Sequence, residues 1–74
     1  MEMERKKRSA KQVIAALNRR KEYLGCRILL AMNLKGQKFV EVLAQNTEEN
    51  RKRWPNGKRY AYSRDFWVVS VIEV

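Results

Sequence analysis

The spacing of apolar residues along this chain changes once, at Gly25. Before that glycine, apolar residues recur at intervals of three, four and seven, at Ala10, Val13, Ile14, Leu17 and Leu24. This spacing is typical of one face of an α-helix. After it, the even-numbered residues from Cys26 to Leu34 are all apolar, whereas Arg27 and Asn33 occupy odd positions. Such alternation indicates a half-buried β-strand, so the chain is predicted to begin as a helix and continue as a sheet.

The predicted helix covers residues 10–24. Ser9 and Gln12 have the spacing of a capping box, in which each side chain bonds to the backbone of the other residue. Three cations near the carboxyl end of this segment suit the helix dipole. Gly25 is a natural stop for the helix because glycine readily adopts the left-handed conformation found there.

Strand-like runs fill most of the remaining chain. They cover residues 26–34, 39–44, 58–63 and 66–74. A short link containing Gly36 joins the first two, which predicts a hairpin. Residues 46–57 are polar apart from Trp54 and end in turn-forming residues, which predicts one long loop. The predicted fold class is therefore α+β, with an N-terminal helix packed on a small antiparallel sheet of three or four strands.

A chain of 74 residues has room for one domain. We predict a basic N-terminal arm at residues 1–8 and a single α+β domain at residues 9–74. The core of so small a domain is marginal, so ordering on a partner or dimerisation is expected to add stability. A bare edge at the strand predicted for residues 66–74 would allow a homodimer to form.

The chain carries 17 lysines and arginines against eight acidic residues, a net charge of +9. Self-repulsion on this scale opposes a compact state and favours association with an anionic partner, DNA or RNA above all. An alternative is that the charge only maintains solubility.

One basic cluster precedes the predicted helix. It consists of Arg5, Lys6, Lys7 and Arg8. A basic arm of this kind can lie along phosphates or enter a minor groove. Two alternatives remain open: the arm is a solvated terminus, or the helix starts earlier with Glu2 and Glu4 in its first turn.

A second cluster combines cations with aromatic rings and contains no acidic residue. Its cations are Arg51, Lys52, Arg53, Lys58, Arg59 and Arg64, and its rings are Trp54, Tyr60 and Tyr62. Cations neutralise phosphates and exposed rings stack on unpaired bases, as in single-strand binding. The alternative for the three rings is packing in the core.

Catalysis has little support in the sequence. The chain has no histidine, and Cys26, its one cysteine, has no histidine to activate it and is read as a small buried apolar residue. The carboxylates form no recognisable metal-binding or acid-base pattern. We therefore predict that the protein is not an enzyme and uses no metal or cofactor.

The predicted function is a small basic nucleic-acid-binding protein that contacts mainly the phosphate backbone of DNA or RNA. The alternative is a protein-interaction module, such as a small phage-type or plasmid-type regulator or inhibitor, that docks on an acidic protein through Trp54. No apolar run follows the charged start of the chain, and no segment approaches the roughly 18 apolar residues of a membrane span. A cytoplasmic location is therefore expected.

Overall fold

A computed structural model describes residues 9–74 of the protein. Its elements are α1 (Ala10–Asn18), a short 3-10 helix (Lys21–Tyr23), β1 (Arg27–Met32), β2 (Lys38–Gln45), α2 (Glu48–Arg53), β3 (Lys58–Arg59) and β4 (Phe66–Glu73). The strands form one antiparallel sheet in the order β1-β2-β4-β3. Helix α1 packs on this sheet, which confirms the predicted α+β class.

Helix α1 begins at the predicted cap and supplies half of the main core. The Ser9 hydroxyl accepts a hydrogen bond from the Gln12 backbone, and the Gln12 side chain accepts one from the Ser9 backbone, both at 3.2 Å. The core joins two helix residues to two residues of β2, all of them buried: Val13, Leu17, Val40 and Val42. The apolar stripe therefore covers one face of the sheet, as its spacing predicts.

The same helix ends at Asn18, six residues before the predicted end at residue 24. The stripe would require apolar residues one turn after Leu17, where the chain carries Arg20 and Lys21 instead. The chain turns there, and Tyr23 packs against the core while Leu24 is 88% exposed. The spacing of seven residues between Leu17 and Leu24 therefore predicted the wrong end for the helix.

The segment predicted as one long loop contains the helix α2. Thr47 caps it, its hydroxyl accepting a hydrogen bond of 3.1 Å from the Asn50 backbone. Acidic residues occupy its first turn and basic residues its last, the arrangement that the helix dipole favours. No residue of α2 is buried, so it has no apolar stripe for a periodicity argument to detect.

The third predicted strand, residues 58–63, is reduced to Lys58–Arg59. After Tyr60, whose backbone bonds to the Phe66 carbonyl, the chain turns away from the sheet. Side-chain bonds hold this turn: Asn46 donates to the Arg64 carbonyl at 2.8 Å, and the Ser63 hydroxyl accepts from the Asp65 backbone at 3.2 Å.

Strand β4 lies between β2 and β3 in the sheet order, but β3 pairs only with its first half. It pairs with β2 along seven positions and with β3 at Trp67 and Val68. Among the described residues, β1 has one bare edge along its whole length, whereas the edge predicted at residues 66–74 is covered by β3 only at Trp67 and Val68. Among residues 9–74, no helix combines the length and apolarity needed to cross a membrane.

Candidate nucleic-acid interface

Several arginines that are distant in the sequence come together at one end of the sheet, where β1 begins, β2 ends and β4 begins. We call this the basic end and define it by four arginines: Arg27, Arg51, Arg59 and Arg64. Strand pairing brings the parts of the chain together, since Arg27 lies opposite Leu43 and Arg59 lies opposite Trp67.

The first surface hollow at the basic end is lined by Asn46, Arg51, Arg59 and Trp67 and has a volume of about 380 Å³. We call it the Trp67 hollow. Arg59 and Trp67 are directly paired across β3 and β4, so their side chains project from the same face. The Trp67 ring is fixed by a hydrogen bond of 3.0 Å from its Nε1 to the Trp54 carbonyl. Two guanidinium groups and an indole ring thus border one open site.

Gly57 makes the position of the indole possible. A Cβ atom at residue 57 would lie 2.3 Å from Trp67 Nε1 and 2.6 Å from the Val68 carbonyl oxygen. Only glycine allows the two backbones and the ring to approach so closely. Gly57 therefore contributes to the site without lining it.

The second hollow has a volume of about 610 Å³ and shares Asn46 with the first, but it lies toward the other face of the sheet, because Phe66 and Trp67 are consecutive residues of β4. Its lining includes Arg27, Arg64, Asp65 and Phe66, and we call it the Phe66 hollow. The Arg27 guanidinium lies 5.2 Å from the centre of the Phe66 ring, a cation–π arrangement. Because Asp65 also lines the Phe66 hollow, the net positive charge of this hollow is smaller than that of the Trp67 hollow.

Asn46 lines both hollows and holds their parts in place. Its side-chain oxygen Oδ1 accepts a hydrogen bond of 2.6 Å from Arg51 Nη1. Its side-chain nitrogen Nδ2 donates a hydrogen bond of 2.8 Å to the Arg64 backbone carbonyl. Its backbone N–H donates to the Asp65 carbonyl at 2.9 Å. One residue therefore orients the Arg51 guanidinium and anchors the turn that carries Arg64.

The remaining predicted cations lie elsewhere or have other contacts. Lys52 forms an exposed ion pair of 3.6 Å with Glu48. Lys58 projects from the opposite face of β3 to Arg59 and lines neither hollow. Arg53 donates a hydrogen bond of 3.1 Å to the Glu22 carbonyl. Arg5, Lys6, Lys7 and Arg8 lie outside the described residues. Of the six cations in the predicted cluster, the fold brings Arg51, Arg59 and Arg64 to the basic end.

The aromatic residues of the predicted cluster have different environments. Trp54 is half-buried, with the Arg53 guanidinium 4.4 Å from its ring centre and the Tyr23 ring centre at 6.5 Å. Tyr60 is half-buried against Phe66, their ring centres 6.3 Å apart. Tyr62 is 87% exposed and contacts Tyr60 edge to face. Tyr62 is thus the ring of this cluster that is most accessible for stacking.

Cys26 shows no sign of activation. Burial raises the pKa of its thiol, and the nearby Arg53 guanidinium opposes that shift more weakly. Within residues 9–74, no group of three or more histidine, cysteine, aspartate or glutamate residues is arranged to hold a metal ion.

Comparisons of the chain with protein-family models, curated proteins and solved structures found no match.

Three residues of this site were not predicted from the sequence: Arg27, Asn46 and Trp67. Arg27 carried a usable signal, since it is a lone cation at the start of an apolar strand. Trp67 was read as a strand residue, and nothing local distinguishes it from its apolar neighbours. Asn46 gave no signal, because its role depends on contacts with residues 18 and 19 positions further along the chain.

Proposed function

We propose that the protein is a small basic nucleic-acid-binding protein of the cytoplasm that is not an enzyme and contacts mainly the phosphate backbone through the basic end. The observation that supports this best is the Trp67 hollow, where Arg51 and Arg59 flank an indole ring. Among residues 9–74, no acidic residue lines that hollow. A site with two guanidinium groups and no carboxylate suits a phosphate group.

The fixed position of Arg51 strengthens this proposal. A guanidinium held by the Asn46 side chain loses less conformational entropy when it binds than a freely moving one. Arginine also has five N–H donors, so the bond to Asn46 leaves others to meet a phosphate oxygen. The geometry therefore favours Arg51 as the first phosphate contact, with Arg59 as the second.

A path for the backbone continues around the basic end. Arg27 and Arg64 line the Phe66 hollow, which shares Asn46 with the Trp67 hollow and lies toward the other face of the sheet. We propose that they contact further phosphates, and that the exposed Tyr62 ring stacks on an unpaired base. The N-terminal cluster of Arg5, Lys6, Lys7 and Arg8 would add contacts to these.

The alternative, docking on an acidic protein, depended on Trp54 as an accessible anchor. That ring is half-buried beneath Arg53 and beside Tyr23. Interface anchors are ordinarily exposed before the partner binds. We therefore rank nucleic acid above an acidic protein as the partner.

The proposal is tested by fluorescence anisotropy with labelled duplex DNA, single-stranded DNA and single-stranded RNA at several salt concentrations. If the four arginines of the basic end each neutralise one phosphate, log K falls with log salt with a slope at least as steep as about −3.6 for a duplex or −2.8 for a single strand. Between 50 and 200 mM salt, these slopes correspond to losses of about 150-fold and 50-fold. A slope near zero for all three ligands would refute the proposal.

A pair of double variants locates the interface. Arg51→Gln with Arg59→Gln should make the slope less steep by about 1.8 on a duplex or 1.4 on a single strand, because two phosphate contacts are lost. The control, Lys35→Gln with Lys38→Gln, removes the same charge from exposed residues at the opposite end of the sheet. If both variants change the slope equally, binding depends on net charge alone and the basic end is not the site.

A further inference from the structure

The outer edge of β1 is unpaired in the described part of the chain. Strand β1 is the first in the sheet order and pairs with β2 at all six of its positions, Arg27 to Met32. A strand with one bare edge is a template for another strand, because its outward N–H and C=O groups lack partners.

The pairing shows which backbone groups point outward. The Asn33 N–H bonds to the Gln37 carbonyl, so residue 33 directs its backbone toward the second strand of the hairpin. Backbone direction alternates along an antiparallel strand, so Ile28, Leu30 and Met32 direct theirs away from β2. A second hydrogen bond is consistent with this alternation. Lys38 lies opposite Met32, and its carbonyl accepts from the Val74 N–H, so its backbone points away from β1.

The side chains along this edge are apolar and accessible. Leu30 is 51% exposed and Met32 is 66% exposed, although both belong to the sheet. Natural edges are protected by charges, prolines or bulges. Strand β1 has no proline, its register with β2 is unbroken, and its single charge is Arg27 at one end.

We propose that β1 pairs with β1 of a second copy of this chain, forming a symmetric dimer with one continuous eight-stranded sheet. The outward backbone groups fix the register: Leu30 lies opposite the partner's Leu30, and Ile28 lies opposite the partner's Met32. Each of these pairs exchanges two hydrogen bonds, about six in total. Leu29 then lies beside the partner's Ala31 on the other face of the sheet.

Charge and symmetry favour a second copy as the occupant. The protein carries +9, yet this edge is almost neutral, so two copies can meet here without placing like charges opposite each other. In the proposed register, Arg27 lies opposite the partner's Asn33. Beyond Val68, β4 has β2 as its one strand partner among the described residues, but this stretch ends in Glu73, whose charge a second strand would have to accommodate.

Analytical ultracentrifugation over micromolar to millimolar concentrations tests the dimer. Nucleic-acid-free protein in 0.3 M salt is used, because salt screens repulsion between the basic copies. The weight-average mass should rise from 8.8 kDa toward twice that value. Leu30→Lys places two like charges opposite each other and should raise the dissociation constant by at least about tenfold. Val71→Lys is the matched control, since Val71 is a 44% exposed strand residue on β4.

Cross-linking tests the register directly in a Cys26→Ser background. In Leu30→Cys, the two Cα atoms would be about 5.5 Å apart, within the range for a disulfide, so copper-catalysed oxidation should yield a covalent dimer. In Leu34→Cys, the paired thiols would be about 27 Å apart along the strands, and cross-linking should be slow. Circular dichroism confirms that each variant is folded.

Three results would overturn the proposal. The first is a wild-type mass of 8.8 kDa at millimolar concentration. The second is an equal effect of Leu30→Lys and Val71→Lys. The third is cross-linking of Leu30→Cys no faster than that of Leu34→Cys. None of these measurements depends on nucleic acid, so the dimer and the proposed function succeed or fail separately.

Discussion

Replacing Gly57 by alanine should disrupt the Trp67 hollow and destabilise the whole domain. The added Cβ would meet Trp67 Nε1 at 2.3 Å and the Val68 carbonyl oxygen at 2.6 Å. Neither is the free end of a flexible side chain, so the backbone and the indole must both move. Overpacking of this kind costs about 1 to 3 kcal/mol. Loss of the 3.0 Å bond from Trp67 to the Trp54 carbonyl adds about 0.5 to 1.5 kcal/mol.

The free energy of unfolding should therefore fall by roughly 2 to 4 kcal/mol. A domain of this length has roughly 4 to 11 kcal/mol in total. The melting temperature should drop on the order of 10 to 25 °C, which thermal and urea unfolding followed by circular dichroism would measure. Nucleic-acid affinity should fall as well, at temperatures where the variant is still folded, because Trp67 borders the Arg51 and Arg59 site.

The control is Gly36→Ala. Gly36 has a positive φ of 84° and no atom within 4 Å of an added Cβ, so this variant incurs only a backbone cost of about 1 to 2 kcal/mol. In a Trp67→Phe background the cost of Gly57→Ala should shrink, whereas that of Gly36→Ala should not. A Gly57→Ala protein within 0.5 kcal/mol of wild type, or the same cost in both backgrounds, would refute the steric argument.

Two further predictions concern single side chains. Asn46→Ala removes the hydrogen bonds to Arg51 and to the Arg64 carbonyl. It should lower the free energy of unfolding by about 1 to 3 kcal/mol and weaken nucleic-acid binding. Unchanged affinity would show that Arg51 does not need to be positioned by Asn46. Burial raises the pKa of the Cys26 thiol, so at neutral pH iodoacetamide should alkylate it more slowly than free cysteine. Arg53→Ala should slow the reaction further, because it removes a charge that lowers this pKa. Faster alkylation of the Arg53→Ala protein would contradict that assignment.

Local chemistry made part of the fold predictable. The Ser9 cap, the stripe through Val13 and Leu17, and the alternation along β1 each depend on residues a few positions apart. The positive φ of Gly36 accords with the short link between β1 and β2. Such patterns identify an element and its buried face, so the start and buried face of helix α1 and the pairing of the first hairpin were predicted correctly, although the end of the helix was not.

Other boundaries depended on signals that periodicity does not contain. Helix α2 has a cap at Thr47 and the charge order expected of a helix, yet no apolar stripe. The capping residue and the order of charges together predict a helix here. The shortening of the third strand could not be read locally, since the turn after Tyr60 is held by Asn46, a residue from the other side of α2.

The sequence by itself determined the fold class and the excess of positive charge, because helix caps, apolar periodicity and charge counts are local or additive properties. Only the tertiary structure decided which arginines share a site. Arg59 meets Trp67 through the pairing of β3 with β4, and Arg51 is held by Asn46 at the end of β2. Residues distant in sequence become neighbours only when strand register is fixed, and register follows from the packing of the whole sheet.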